Sequence, residues 1–165
     1  MTYVLNTKDL IRAYKELKEE LEDMNNTKKE IEEEIADLEL EITTLEKTED
    51  FDAIEFLEKA IEDKKSDLEG IQTDLDTWAY YEDYEDLESA IEQCESYNSE
   101  CEYGVDLIEE LGIKKYVERE MYEIFPALKN IPSFVAIDWD DTIDNYLDDF
   151  GEVQYDNKTY YIRIT

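Results

Sequence analysis

Apolar residues recur with a heptad rhythm over the first third of the chain. Leu10, Leu17, Met24, Ile31, Leu38 and Leu45 repeat every seven residues. Tyr14, Leu21, Ile35 and Ile42 form a companion seam offset by four, broken at Lys28. This alternation of threes and fours is the a/d spacing of a coiled coil. No Gly or Pro precedes Gly70, so the pattern predicts one helix over 8–46, about 58 Å long at about 1.5 Å per residue. The rhythm pauses at Thr48-Glu49-Asp50-Phe51-Asp52 and resumes with Ile54, Leu57, Ile61, Leu68, Ile71, Leu75 and Trp78, with Lys64 in the one missing seam position. Two heptad helices joined by a short polar turn read best as an antiparallel hairpin. The rival is one continuous helix in an intermolecular coiled coil, which leaves a homodimer open.

The pattern changes after residue 80. Leu87, Ala90, Ile91 and Cys94 predict an amphipathic helix over 84–97, closed by Tyr97-Asn98-Ser99. Tyr116, Val117, Met121 and Ile124 predict another over 114–125, stopped by Pro126, with Ile131-Pro132-Ser133-Phe134 as a connector. Asp138 has the place of an N-cap, Asp140 and Asp141 fall in the first turn, and Ile143 and Leu147 carry the apolar face. Val153 and Tyr155, then Tyr160, Ile162 and Ile164, alternate around Asp156-Asn157-Lys158, which predicts a β-hairpin. The expected fold is mostly α with small β: a heptad helical hairpin over 1–80, then an acidic, compact α+β module over 81–165 ending in a β-hairpin.

Charge changes the picture next. The 165 residues carry 48 Asp and Glu against 16 Lys and Arg, a formal net charge of -32, yet 42% are apolar and 13 are Tyr. That apolar content belongs to a folded chain, not to an acidic tail. Such a balance disfavours direct contact with nucleic-acid phosphates and with anionic membranes. The absence of His removes imidazole triads and His-ligated zinc. No apolar run approaches the length of a membrane span, and Met1-Thr2-Tyr3-Val4-Leu5 lacks the layout of a signal peptide. Cys94 and Cys101 make no disulfide framework. The expectation is a soluble cytoplasmic protein with reduced thiols and no cofactor.

The charge is unevenly distributed. Residues 1–50 mix seven bases with 16 acids, as a solvated helical surface does. Residues 66–113 hold 16 acids and no base. A second window without bases, 130–157, holds Asp138, Asp140, Asp141, Asp144, Asp148, Asp149, Glu152 and Asp156. Crowded like charges cost stability, so these windows are where a function of the charge is expected.

Several constellations invite a chemical reading. Asp138-Trp139-Asp140-Asp141-Thr142, after an apolar run, resembles the nucleophile motif of haloacid-dehalogenase-type phosphatases, which implies Asp138 as nucleophile and Asp140 as acid/base around magnesium. That fold needs a parallel sheet and later Lys and Asp motifs, and only 23 residues follow Thr142; a capped helix start explains the same residues. Asp138, Asp140, Asp141 and Asp144 offer oxygens to a hard cation, but no calcium-loop spacing occurs. Cys94 reads as a small core residue. The four glycines are scattered, form no phosphate loop, and suit helix ends and turns. No catalytic or metal residue is assigned, and the chain is not expected to be an enzyme.

Gly104-Val105-Asp106-Leu107-Ile108, Tyr116, the run from Ile131 to Trp139, and Val153 to Arg163 together resemble, in order and spacing, the C-terminal module of ArdA-type antirestriction proteins and related small acidic phage proteins. The resemblance covers about residues 104–165 and leaves out the heptads. It implies a phage or mobile-element origin and mimicry of DNA against a host defence enzyme. The heptad part is an added or replaced front end able to select another target.

An excess of 32 charges matches duplex DNA, at one charge per about 1.7 Å of axis, over about 54 Å. Carboxylates three or four apart on a helix sit about 5–6 Å from each other, so acidic helices present a phosphate-like array to a groove lined with Lys and Arg. The expected function is a DNA-mimic inhibitor, with a basic nucleic-acid-binding host protein such as a defence nuclease as partner. The expected contact residues are Asp74, Asp76, Glu82, Asp83, Glu85, Asp86, Glu88, Glu92, Glu95, Glu100, Glu102, Asp106, Glu109, Glu110, Asp138, Asp140, Asp141, Asp144, Asp148 and Asp149. Tyr80, Tyr81, Tyr84, Tyr97 and Tyr103 are interleaved as apolar anchors or core. The alternative is a coiled-coil adaptor or assembly protein whose acidity serves solubility.

Overall fold

The computed structural model describes residues 4–48, 51–132 and 135–165. Its elements in chain order are β1 (Val4–Asn6), α1 (Thr7–Leu45), α2 (Phe51–Asp76), α3 (Tyr81–Tyr97), β2 (Asp106–Glu109), α4 (Ile113–Ile124), α5 (Trp139–Leu147), β3 (Phe150–Tyr155) and β4 (Lys158–Arg163), with short 3-10 segments between them. The fold is mostly α with a small antiparallel sheet. The chain divides into two compact units: Glu16–Tyr81, and Met1–Lys15 together with Glu82–Thr165. The change of pattern near residue 80 thus marks a boundary, but the first fifteen residues belong with the C-terminal half, not with the hairpin. The sheet is the reason, because β1 is one of its strands.

The unit Glu16–Tyr81 is an antiparallel hairpin. Trp78 Nε1 donates to Glu20 at 3.2 Å, Lys28 to Gln72 at 2.7 Å, Lys64 pairs with Glu34, and Lys65 lies 3.6 Å from Glu39. As one member climbs from 20 to 39 the other falls from 78 to 65, which fixes the direction. Ile35, Ile61 and Trp78 are buried and the remaining seam positions half-buried. Lys28 and Lys64, the two breaks in the heptads, are half-buried too and each finds an acceptor on the facing helix. They follow the rule that a polar seam residue fixes register at some cost in stability. Of the expected turn, Glu49 and Asp50 lie outside the described residues, and Phe51 and Asp52 already belong to α2. Gly70 sits inside α2 with open space around it, not at a helix end as expected.

The other unit is built on a sheet of order β1-β2-β4-β3. β1 pairs antiparallel with β2 (Val4 with Ile108), β2 with β4 (Ile108 with Tyr161), and β3 with β4 (Val153 with Tyr160). Only the β3–β4 hairpin is legible in the alternation; β1 and β2, of three and four residues, are too short to show a period. Asp156 and Asn157 alone form the turn, both left-handed at φ 49° and 55°, the signature of a type I′ turn whose twist matches the strands. Lys158, expected in the turn, is the first residue of β4. Ile164 lies beyond β4 and is exposed.

Leu107, Ile108, Val153 and Ile162 are fully buried, as are Ala90 and Cys94 of α3 and Val117 of α4. α3 is held to the hairpin by polar and steric contacts. The Asn98 side-chain amide donates to the Arg163 carbonyl at 2.8 Å, and Gln93 accepts from the Gln154 N–H at 3.0 Å. The Tyr97 ring covers Gly151, where a Cβ would come within 2.4 Å of ring carbon. Gly151 is therefore a strand glycine required by close packing, not a turn residue. On the other flank Ile108, Ile113 and Val117 gather Tyr116, Met121, Ile143, Tyr146, Leu147, Phe150 and Tyr161, which seats α4 and α5. Pro126 opens a 3-10 segment, Pro126–Asn130, that the expected connector did not include; Ser133 and Phe134 lie outside the described residues.

Candidate acidic interface

α3 carries the densest acids. Its covered side is Leu87, Ala90 and Cys94, so a 3.6-residue period places Glu85, Glu88, Glu92 and Glu95, spaced three, four and three, along the opposite side. Glu82, Asp83 and Asp86 add carboxylates in the first turns. These seven acids span about 20 Å of helix, roughly one per 3 Å. That lies between the phosphate density of one DNA strand, one per about 3.4 Å, and that of the duplex. All are exposed except Glu88, which is half-buried and accepts from the Tyr14 hydroxyl at 2.8 Å. Among the described residues none of the seven has a cation within ion-pair distance.

The acids after α3 are arranged differently. Glu100 and Glu102 lie at the 3-10 turn Cys101–Tyr103, Asp106 and Glu109 on β2, and Glu110 in the next 3-10 segment. No helical row includes them. Asp106 accepts from the Asn6 side chain at 3.1 Å, and Glu109 is half-buried with Lys158 at 3.9 Å. Gly104 shapes this stretch: its φ of +99° is one that strains any side-chain-bearing residue, and the Asn6 side chain comes within 2.9 Å of where a Cβ would stand.

Around α5, Asp138 is the N-cap and accepts from the Asp141 N–H at 3.2 Å. Asp140 lies 3.6 Å from Lys114, so this window, uncompensated in sequence, gains a base from α4. Asp141, Asp144, Asp148 and Asp149 are exposed. The carboxylates of Asp138 and Asp140 serve a cap and a surface ion pair, and the sheet beside them is antiparallel. No group of three or more potential metal ligands gathers among the described residues. Asp74 and Asp76, at the end of α2, are exposed in the other unit; the Asp76 carboxylate accepts from Gln72 at 2.7 Å.

The tyrosines divide. Tyr80, Tyr81 and Tyr103 are exposed. Tyr84 and Tyr97 are half-buried: Tyr84 stacks on Tyr14 with centroids 5.1 Å apart, and Tyr97 packs on Gly151. Hydrogen bonding to Tyr84, then burial and the bond to Glu88, raises the Tyr14 phenol. Burial, followed by the charges of Asp156 and Asp83, raises Tyr155. Phenols surrounded by carboxylates thus stay neutral, and the surface remains an array of fixed negative charge. Both cysteines are buried, Cys101 as well as Cys94. Burial first, and then the neighbouring Cys101, pushes the Cys94 thiol up to about 12, which makes it a poor nucleophile.

The chain matches no family model, no curated protein and no solved structure.

Proposed function

We propose that the protein is a DNA-mimic inhibitor, phage-encoded as its C-terminal resemblance implies, that fills the nucleic-acid groove of a basic host protein such as a defence nuclease. The acids of α3 carry this reading: seven carboxylates at near-phosphate density along the helix, four of them in one row, with no cation of the described chain within ion-pair distance. Neutralising them internally would have been simple, as Lys29 with Glu33 and Arg12 with Asp9 show on α1. Binding would release the counterions held in the target's groove and would be steered by long-range attraction. The exposed aromatic ring of Tyr103, next to Glu100 and Glu102, supplies an apolar contact.

The test is capture from bacterial lysate on the immobilised protein, with stepwise salt elution and added duplex DNA. The expected captives are nucleic-acid-binding proteins that elute as salt rises and are displaced by DNA. Replacing Glu85, Glu92 and Glu95 together by Gln should weaken capture severalfold. Captives that persist in high salt and ignore DNA would sink the reading.

A coiled-coil adaptor is the second reading, favoured by Phe51 and Phe56, which stand 72% and 73% exposed near the hairpin's turn. Binding of that kind would survive salt, tolerate the α3 substitutions and fail on Phe56→Asp.

A further inference from the structure

We propose that one side of the helical hairpin is a docking groove for a basic amphipathic helix of a partner protein, which completes a three-helix bundle. Two helices cover only part of a heptad seam. Ile35 and Ile61 are buried, but Ile42, Ile54 and Leu68 stay half-buried. These five share one of the two seam positions, and in an antiparallel pair that position lies towards one side of the seam. There Ile42 and Ile61 line a cleft of about 370 Å³ together with Glu39, Glu58, Glu62 and Lys65. Heptad spacing continues both margins: Glu32 stands seven before Glu39, and Glu55 and Glu69 stand seven on either side of Glu62. Phe51, seven before Glu58 and 72% exposed, ends the row near the turn. From Glu32 to Leu45 the margin runs about 20 Å, the length of a helix of roughly four turns.

The charge of the margins selects the occupant. Lys65, 3.6 Å from Glu39, is the one base lining the cleft. Among the described residues Glu58 and Glu62 have no cation within ion-pair distance. A neutral apolar helix laid over the isoleucines would strip water from these carboxylates and leave them unpaired, which is costly. A basic helix lays the methylene stems of its Lys and Arg on the same apolar surface and brings their heads to the carboxylates. A second copy of this hairpin would bring a margin of like charge and is repelled. The groove lies wholly within Glu16–Tyr81 and shares no residue with the acids of α3, so it stands apart from the DNA-mimic reading. It also differs from the adaptor surface at Phe56, because a residue two positions before Glu58 is set about 200° around the helix from it.

Fluorescence anisotropy on the full chain tests this. The probe is a labelled peptide of about three heptads, with Leu at the seam positions and Lys beside them; its control is a scrambled peptide of the same composition. The patterned peptide should bind at least tenfold more tightly than the scrambled one, which carries equal charge but no stripe. Added salt should weaken it severalfold. Glu58→Lys with Glu62→Lys, both at exposed positions, should weaken it at least tenfold with an unchanged circular dichroism spectrum. The same variant should now prefer a peptide with Glu in place of Lys. Phe56→Asp, and Glu85→Gln, Glu92→Gln and Glu95→Gln together, should leave the affinity within about twofold of the parent. Equal affinity for the patterned and scrambled peptides overturns the proposal, as does indifference to the charge reversal. A loss on the α3 variant or on Phe56→Asp in place of the charge reversal puts the peptide on another surface and overturns it too. None of these failures touches capture of nucleic-acid-binding proteins through α3, so the two readings fall separately.

Discussion

At the scale of single residues, packing and burial decide what chemistry is left. Gly151 lies under the Tyr97 ring with no room for a methyl group. Gly151→Ala should therefore destabilise the C-terminal unit by about 1–3 kcal/mol, as overpacking does, and Gly151→Ala with Tyr97→Ala should recover part of that; urea unfolding measures both. Cys94 has a second consequence. Its folded-state pKa, about 12, exceeds the ordinary value of 9.0, so the unfolded chain loses this proton first. The stability that the neutral thiol contributes is complete below pH 9.0 and is lost as pH rises towards 12. Tyr116, Tyr146, Tyr155, Tyr160 and Tyr161, all raised chiefly by burial, add to the loss with the same sign. Stability measured across alkaline pH should fall steadily above about 9, with phenolate absorbance rising cooperatively on unfolding; a flat profile would contradict this.

At the scale of elements, local chemistry sets the boundaries. Asp138 caps α5 with its own carboxylate, and the I′ turn at Asp156-Asn157 closes the β3–β4 hairpin. A left-handed conformation costs an L-residue roughly 1–2 kcal/mol, and glycine escapes most of it. Asn157→Gly should thus stabilise the C-terminal unit by about 0.5 kcal/mol, read as a raised urea midpoint at constant slope. The cap and hairpin were legible because short-range rules govern them. β1 and β2 were not, since each is too short to show a period and pairs with residues about a hundred positions away. Assigning Met1–Lys15 to the hairpin half followed from that omission.

At the scale of the whole molecule, self-repulsion dominates. The surface ion pairs, such as Lys29 with Glu33, are well exposed and contribute little each, so a net charge of -32 is held together by its cores against its own field. Thermal unfolding should accordingly shift upward by several degrees between low salt and about 0.5 M monovalent salt, where the screening length falls to a few Å. Glu85→Gln, Glu92→Gln and Glu95→Gln together should raise the low-salt midpoint while weakening partner capture. That combination marks acids retained for binding at the expense of stability.

The sequence by itself determined the heptad helices, the amphipathic helices, the capped α5 and the closing β-hairpin, because each rests on a period or a turn chemistry written locally; that the heptad helices pair with each other within the chain was decided by contacts such as Lys28 with Gln72. It also located the windows without bases. Only the tertiary structure decided which of their acids act alike. Glu85, Glu88, Glu92 and Glu95 stand in one row because α3 buries Leu87, Ala90 and Cys94 on its other side, Asp140 gains Lys114 from a neighbouring helix, and Glu109 gains Lys158 across the sheet. Local spacing cannot report such partners, since they are brought together by strand pairing and core packing between segments remote in sequence.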